Sequence, residues 1–392
     1  MQFPILRSEV QQFINANIGC DISKLALKKN PFPEIDWTAL LNQIAAKTKA
    51  KDKLPTWFRT ENIIFPSKIS VEQTSSEKTA FYKSNLISGK SLIDLTGGFG
   101  VDDFYFSKRF ESVVHCEMNS ELSEIVAHNF STLKVTNIEC FEGDSFDILK
   151  RLNRKFDWIY IDPSRRSESK GKVFMLQDCE PNVPKLLSSY FSFSDNVLIK
   201  TAPILDLSAG ISALNHVKKI HIIAVENEVK ELIWELAKDY SGPIAIRTVN
   251  MVNDEQQKFN FVFLESQSVT FSLPKKYLYE PNNAIMKSGG FEAVAAQFSI
   301  SKLRQHSHLY TSDQIIDFPG RIFKIESVIP YHKVEMKQFL ENRKANITTR
   351  NFPESVESIR KKWKIKDGGN CYCFFTTDEN DNKIALICSK IK

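Results

Sequence analysis

A chain of 392 residues that is 42% hydrophobic and 25% charged has room for two or three buried cores. No basic, then apolar, segment opens the chain, and no run of about 18 apolar residues occurs, which predicts a cytoplasmic protein without a signal peptide or membrane span. The seven cysteines form no C-x-x-C pair, which argues for reduced, buried thiols and against zinc or a disulfide framework. The net charge of +5 is uneven: residues 271–392 hold 20 Lys and Arg against 13 Asp and Glu, leaving −2 on the first 270 residues. A basic C-terminal third suits an anionic partner, although a solvated face with chance asymmetry gives the same count.

In chain order, residues 1–85 read as mostly helical, with periodic segments in SEVQQFINANI and DWTALLNQIAAKT. Thr74 and Glu77 have capping-box spacing, predicting a helix from about Ser75 to Ser84. From Ser91 short apolar runs alternate with helical stretches at 101–110, 119–130, 182–191 and 205–217. The strand-like runs are SLIDL, SVVHCE, NIECF, FDWIYI, NVLIKT, KIHIIAV and FNFVFLE. Such alternation predicts an α/β domain with a parallel sheet covered on both faces. A further helix is expected over EVKELIWELAKDY, then a strand in PIAIRTV, and the final strand FNFVFLE can insert antiparallel. Residues 266–275 read as a linker. A small αβ unit follows, ending near Pro319-Gly320, and then a β-α-β-α-β-β segment whose DENDN is a hairpin turn.

The first strand runs into LTGGFGVDD, a glycine turn that lets a ligand approach the backbone at the sheet's C-terminal edge. Aligning Gly98 and Gly100 with a dinucleotide fingerprint puts Asp103 at the third glycine, a poor fit to a pyrophosphate. No G-K-[ST] follows, which excludes a P-loop. A cationic ligand such as S-adenosyl-L-methionine (SAM) suits the acids beside the turn, Asp94 and Asp102, better. Glu117 ends the second strand, where a carboxylate can accept both ribose hydroxyls. Asp144 follows the third strand, where it can accept from an adenine amine. Alternatively, both acids cap the helices that follow them.

The order Asp94, Gly98-x-Gly100, Glu117, Asp144 and Asp162-Pro163 resembles class I SAM-dependent methyltransferases. Thr96 with Gly98, Gly100 and Asp102 looks like the D-x-T-x-G-x-G-x-D variant of some rRNA guanine-N2 methyltransferases. The wider pattern, EQTSSEKTAFYK, then DLTGGFGVDD, IDPSRR and a basic αβ tail, is similar to a bacterial methyltransferase family with a C-terminal THUMP-like domain. The match spans most of residues 60–392. The resemblance implies a Rossmann-like class I sheet, an N-terminal helical region and small ferredoxin-like and THUMP-like α+β domains. The corresponding ranges are 1–85, 86–268, 276–320 and 321–392. It implies SAM as cofactor, held by Asp94, Thr96, Gly98, Gly100, Glu117 and Asp144. Ser76, Glu77 and Lys83 become candidates for its methionine end, or belong to a plain capped helix.

In amino-methylating members the fourth strand ends in [N/D]-P-P-[Y/F/W], the acid or amide accepting the target amine's hydrogens. Here the catalytic candidates are Asp162, Pro163, Ser164 and Arg165, with serine and arginine replacing the second proline and the aromatic. Asp-Pro-x-Arg also resembles pyrimidine-C5 methyltransferases, but those need a cysteine after the fifth strand, and IKTAP has none. Transfer to nitrogen is therefore expected. Arg165 and Arg166 suit a phosphate clamp or a local ion pair, and Lys200 adds charge at the same edge. In the tail, Arg360, Lys361 and Lys362 flank Trp363 with Lys364 and Lys366, extended by Arg343, Lys344 and Arg350. This is either a phosphate-binding patch with a stacking ring or a solvated face over a core tryptophan. THUMP domains bind RNA in other modification enzymes, so tRNA or rRNA is the expected partner. His306 and His308 are too isolated for a metal site, and none is expected. Cys371 and Cys373 read as strand packing. The expected function is SAM-dependent methylation of a base nitrogen in RNA, the alternatives being a non-catalytic RNA-binding protein or a small-molecule methyltransferase.

Overall fold

The computed structural model describes residues 3–165, 175–253 and 255–391. Cα packing divides the chain into two units, Met1–Val217 with Trp234–Ser241, and Lys218–Ile233 with Gly242–Lys392. The division does not follow the expected linker at 266–275.

The first unit begins with helices α1 (Ser8–Ala16), α2 (Ile22–Ala26), α3 (Trp37–Lys53), α4 (Pro55–Arg59), α5 (Lys68–Gln73) and α6 (Glu77–Ser84). Asp36 caps α3 by accepting from Ala39 N at 2.7 Å. One turn apart on α3, Leu40 and Ile44 bury against Val10, Ile14 and Leu25. The cap of α6 is Ser76, whose Oγ accepts from Thr79 N at 3.2 Å. The Thr74–Glu77 box expected from spacing does not form, because Glu77 accepts instead from Thr56 Oγ1 (2.7 Å) and Tyr105 OH (2.8 Å). Trp57, Ile63, Ile64 and Phe65 share a core with Phe99, Phe104 and Phe130. Asn129 also bonds both N and O of Ile64, at 2.9 and 2.8 Å. The helical region is thus built into this unit.

The sheet of the first unit uses β1 (Gly89–Asp94), α7 (Val101–Phe106), β2 (Phe110–Glu117), α8 (Ser120–Thr132), β3 (Ile138–Glu142), α9 (Ser145–Leu152) and β4 (Trp158–Ile161). A two-residue pair, β5 (Ser164–Arg165) and β6 (Cys179–Glu180), then leads to α10 (Val183–Tyr190), β7 (Asn196–Thr201) and α11 (Leu207–Ala213). The order is β7-β4-β1-β2-β3, all parallel. The chain winds outward in opposite directions from β1 and β4, so a crevice is expected at their C-terminal ends. Asp94 ends β1, and Asp162 follows β4.

EVKELIWELAKDY is not a helix. It holds strand β9 (Glu228–Ala237), which follows β8 (Val217–Val225) through a two-residue turn, Glu226 and Asn227, at φ 49° and 61°. Val229, Leu232, Ile233 and Leu236 have helical spacing. Yet Leu232, Ile233, Trp234 and Leu236 are all buried, as in a strand covered on both faces, whose apolar run shows no alternation. Its last part belongs to the first unit, where Trp234 Nε1 donates to Thr201 Oγ1 at 2.9 Å. β10 (Ala245–Val252) pairs parallel to β8, and β11 (Glu255–Val262) pairs antiparallel to β10. The FNFVFLE strand is thus antiparallel, as expected, but at the sheet edge.

The C-terminal region comprises β12 (Tyr277–Pro281), α12 (Asn283–Ser288), α13 (Phe291–Phe298), β13 (Ser301–Lys302), β14 (Tyr310–Ser312) and β15 (Gly320–Pro330). Then come α14 (Lys333–Phe339), β16 (Asn346–Thr349), α15 (Val356–Trp363), β17 (Cys371–Thr377) and β18 (Lys383–Lys390). These strands form one sheet, β13-β14-β12-β15-β18-β17-β16. The two small units expected here are therefore joined through β12–β15 pairing. Among the described residues no helix is long and apolar enough to cross a membrane, and no group of three metal-ligating side chains gathers. All seven cysteines are free thiols.

Candidate active site

The glycine turn is held by its neighbours on both sides. Asp94 Oδ1 accepts from Thr96 N (2.7 Å) and Thr96 Oγ1 (3.0 Å). Thr96 Oγ1 in turn accepts from Asp162 N at 2.6 Å. The turn after β1 and the turn after β4 are therefore clamped by one hydroxyl. Gly98 N donates to Glu117 Oε2 (3.0 Å), and Glu117 Oε1 accepts from Asn119 N (2.7 Å). A side chain at Gly97 is impossible without rearrangement, because a Cβ there would lie 2.1 Å from the His115 ring. Gly100 stands at φ +74° with Phe130 2.5 Å from the position of its missing Cβ. The turn is thus both backbone-only and tightly packed.

Beneath it lies a buried acid pair. Asp94 is 1% exposed and Asp103 is wholly inaccessible. Burial, reinforced by the Asp103 charge, raises the Asp94 pKa well above the carboxylate range, and burial likewise raises that of Asp103. Asp103 Oδ2 lies 2.6 Å from His115 Nδ1, and burial lowers the His115 pKa, keeping the imidazole neutral.

A second cluster surrounds Asp102. Its Oδ2 accepts from Ser75 Oγ (2.9 Å) and Tyr160 OH (2.8 Å), while Lys83 Nζ is 3.1 Å from Oδ1. Lys83 and Lys200 also donate to Ser75 Oγ, at 2.8 and 3.1 Å. Burial alone would raise the pKa of Asp102, but the charges of Lys83 and Lys200 and these hydrogen bonds hold it below the usual value. Lys200 reaches outward from this cluster to Asp162 Oδ2 at 2.5 Å. Asp162 is the exposed end of the relay, its side chain 36% accessible against 10% for Lys200.

The structure places the expected site residues differently. Asp94, Thr96, Gly98, Gly100, Glu117 and Asp162 come together at one sheet edge. Pro163 is buried in the turn and Ser164 is exposed beside it. Asp144 is exposed and caps α9, accepting from Phe146 N (3.0 Å) and Asp147 N (2.9 Å) through Oδ1. Lys200 lies at that edge, as expected, but is buried and engaged by Asp162. Of Arg165 only the backbone is described, paired with Cys179, and Arg166 lies outside the described residues. In the tail, Arg360 pairs with Asp367 (2.5 Å) and Lys362 with Glu354 (3.1 Å). Trp363 is 7% exposed, with Nε1 bonded to Tyr331 OH at 3.1 Å. It is a core residue, unable to stack a base, and of the three cations Lys361 is the exposed one with no acid beside it among the described residues.

Sequence reasoning passed over four residues. Ser75 read only as the approximate start of a helix. His115 and Tyr160 are polar groups inside apolar strands, SVVHCE and DWIYI, and such a group in a buried strand is a signal in itself. Met118, the residue after Glu117, is 64% exposed. A large apolar side chain left in water beside a fixed carboxylate matches the mixed surface of a nucleoside.

Family models match a ferredoxin-like domain over residues 277–319 and a THUMP domain-like region over 320–390. A crystal structure of a candidate methyltransferase from Porphyromonas gingivalis W83 is similar over 100% of both chains, at 30% identity and a TM-score of 0.88. An rRNA methylase from Streptococcus thermophilus is 11% identical over 41% of this chain and 94% of its own, with a TM-score of 0.30. M. capricolum TrmK, solved with S-adenosyl-homocysteine, is 14% identical over 41% of this chain and 68% of its own, with a TM-score of 0.33. No curated protein matches the chain.

Proposed function

The chain belongs to the family of class I methyltransferases that carry a C-terminal THUMP-like domain, and on that premise we propose that it methylates a base nitrogen in RNA using SAM. The observation that carries this reading is the Thr96 clamp, which ties the glycine turn to the Asp162 turn through a 2.6 Å hydrogen bond. It couples the turn that Glu117 holds to a partly exposed carboxylate.

The residues fit SAM. Glu117 is fixed through both oxygens by backbone N–H groups, and a carboxylate's remaining lone pairs can accept the ribose hydroxyls. Met118 supplies the apolar face for adenine, and Asp144 an acceptor for its amine. Asp94, once ionised, balances the cationic methionine end. Bound SAM supplies an electrophilic methyl group on a sulfonium. The protein's own work is then orientation and acceptance. Asp162 holds one oxygen on Lys200 and keeps the other for the N–H of an incoming amine, aligning its lone pair and taking up the proton it sheds. Orientation of this kind is worth up to about 7–11 kcal/mol.

The choice of RNA rests on the THUMP domain-like match and on the basic C-terminal third. Arg343, Lys344 and Lys361 are the cations proposed for phosphate contact, rather than Arg350, Arg360 and Lys362, which already pair with acids. The test is transfer of tritiated methyl from SAM to total RNA from cells lacking the gene, with nucleoside analysis of the product. Labelled methylated nucleoside supports the reading; label only in small molecules overturns it.

A further inference from the structure

Cys371 and Cys373 lie two residues apart on β17, so they project from the same face of the sheet. Their sulfurs are 3.7 Å apart. Cys373 is buried, whereas Cys371 is half-buried and opens into a cleft of about 330 Å³ lined by Phe339, Leu340, Arg343, Lys344 and Ile387. The lining holds two cations and no acid. Electropositive, partly exposed surroundings are those in which a thiol ionises and reacts.

We propose that Cys371 is a modification site for small anionic disulfides, with Arg343 and Lys344 receiving the reagent's carboxylates and Cys373 standing by as the resolving thiol. In the first step the Cys371 thiolate attacks one sulfur of the reagent. A new S–S bond forms, the reagent's own S–S bond breaks, and the electron pair leaves on one thiolate. In the second step Cys373 gives its proton to solvent and its sulfur displaces the remaining reagent thiolate from Cys371. The pair is then oxidised by two electrons and the reagent reduced to two thiolates.

The surroundings rank the thiols. The Cys373 hydrogen bond first, and the Arg343 charge after burial's opposing effect, draw the Cys371 thiol down to about 7. Cys140, the other half-buried thiol with a shifted value, is pushed up to about 12 by burial. A thiol titrating near neutrality is about half ionised at pH 7, an advantage of about tenfold over one at 8.5.

The experiment is reaction of the native full-length protein with dithiobis(nitrobenzoate) at neutral pH, followed by peptide mass spectrometry. One equivalent of reagent should be consumed at least about tenfold faster than by any other thiol, releasing two thiolates and leaving a Cys371–Cys373 disulfide in the peptide map. Cys371→Ser should remove that phase. Replacing Arg343 and Lys344 by Met should slow the anionic reagent several-fold relative to neutral dithiodipyridine. A fast equivalent on Cys20 or another thiol, persistence of the phase in Cys371→Ser, or equal slowing of both reagents overturns the proposal.

Discussion

Two charged clusters in this molecule differ in what surrounds them. Around Asp102, Lys83 is wholly inaccessible and Asp102 is 11% accessible, and four side chains converge on one carboxylate. Around Arg360 the pairs face water, with Asp367 83% and Lys362 49% accessible. Buried charges must be compensated in full, because a lone partner left behind costs about 3–5 kcal/mol. Exposed pairs are worth about 0–1 kcal/mol and are screened by salt. The first cluster therefore fixes geometry, and its outlet is Asp162. The second lends a surface its charge and little else.

The sharpest break of this comparison is at the outlet. Asp162→Ala should lower methyl transfer by about 10²–10⁴-fold, while S-adenosyl-homocysteine binding measured by calorimetry changes little. At the centre, Lys83→Met should destabilise the fold by about 3–5 kcal/mol in denaturant titration, since Asp102 loses its closest cation. Lys200→Met leaves Asp102 paired with Lys83, so the fold should hold while transfer falls about tenfold or more, with partial rescue by Lys200→Arg.

A smaller effect concerns pH. Burial, then the Asp103 charge, raises the Asp94 pKa, with His115 and the Thr96 N–H opposing. A cationic ligand prefers it ionised, so binding should release a proton, and affinity should rise as pH climbs toward the raised Asp94 value. Calorimetry of S-adenosyl-homocysteine in buffers of different ionisation enthalpy reads the release directly. In the basic tail, Lys361→Ala should weaken RNA binding uniformly and lower the salt slope by about 1, whereas Lys362→Ala should do less.

Most of the parallel sheet was legible because its strands are short apolar runs, several of them ended by an acid, as at SLIDL and FDWIYID. The β9 strand was not, since a strand buried on both faces shares its apolar spacing with a helix. Asp94, Glu117 and Asp162 were legible from their order at strand ends. Ser75 was not, and Lys83 was named only for the cofactor's methionine end, because their contacts with Asp102 lie 27 and 19 residues away, which local pattern does not encode. The tail stayed open between two readings, because a run of cations shows neither which ones already have acids beside them nor whether the tryptophan among them points inward.

The most direct test is single-turnover transfer of tritiated methyl to RNA from cells lacking the gene, with wild type and Asp162→Ala compared at saturating SAM. The predicted result is a methylated base nucleoside formed by wild type and lost in the variant, with cofactor affinity unchanged. Equal transfer by both proteins, or none by wild type despite bound cofactor, would contradict the account.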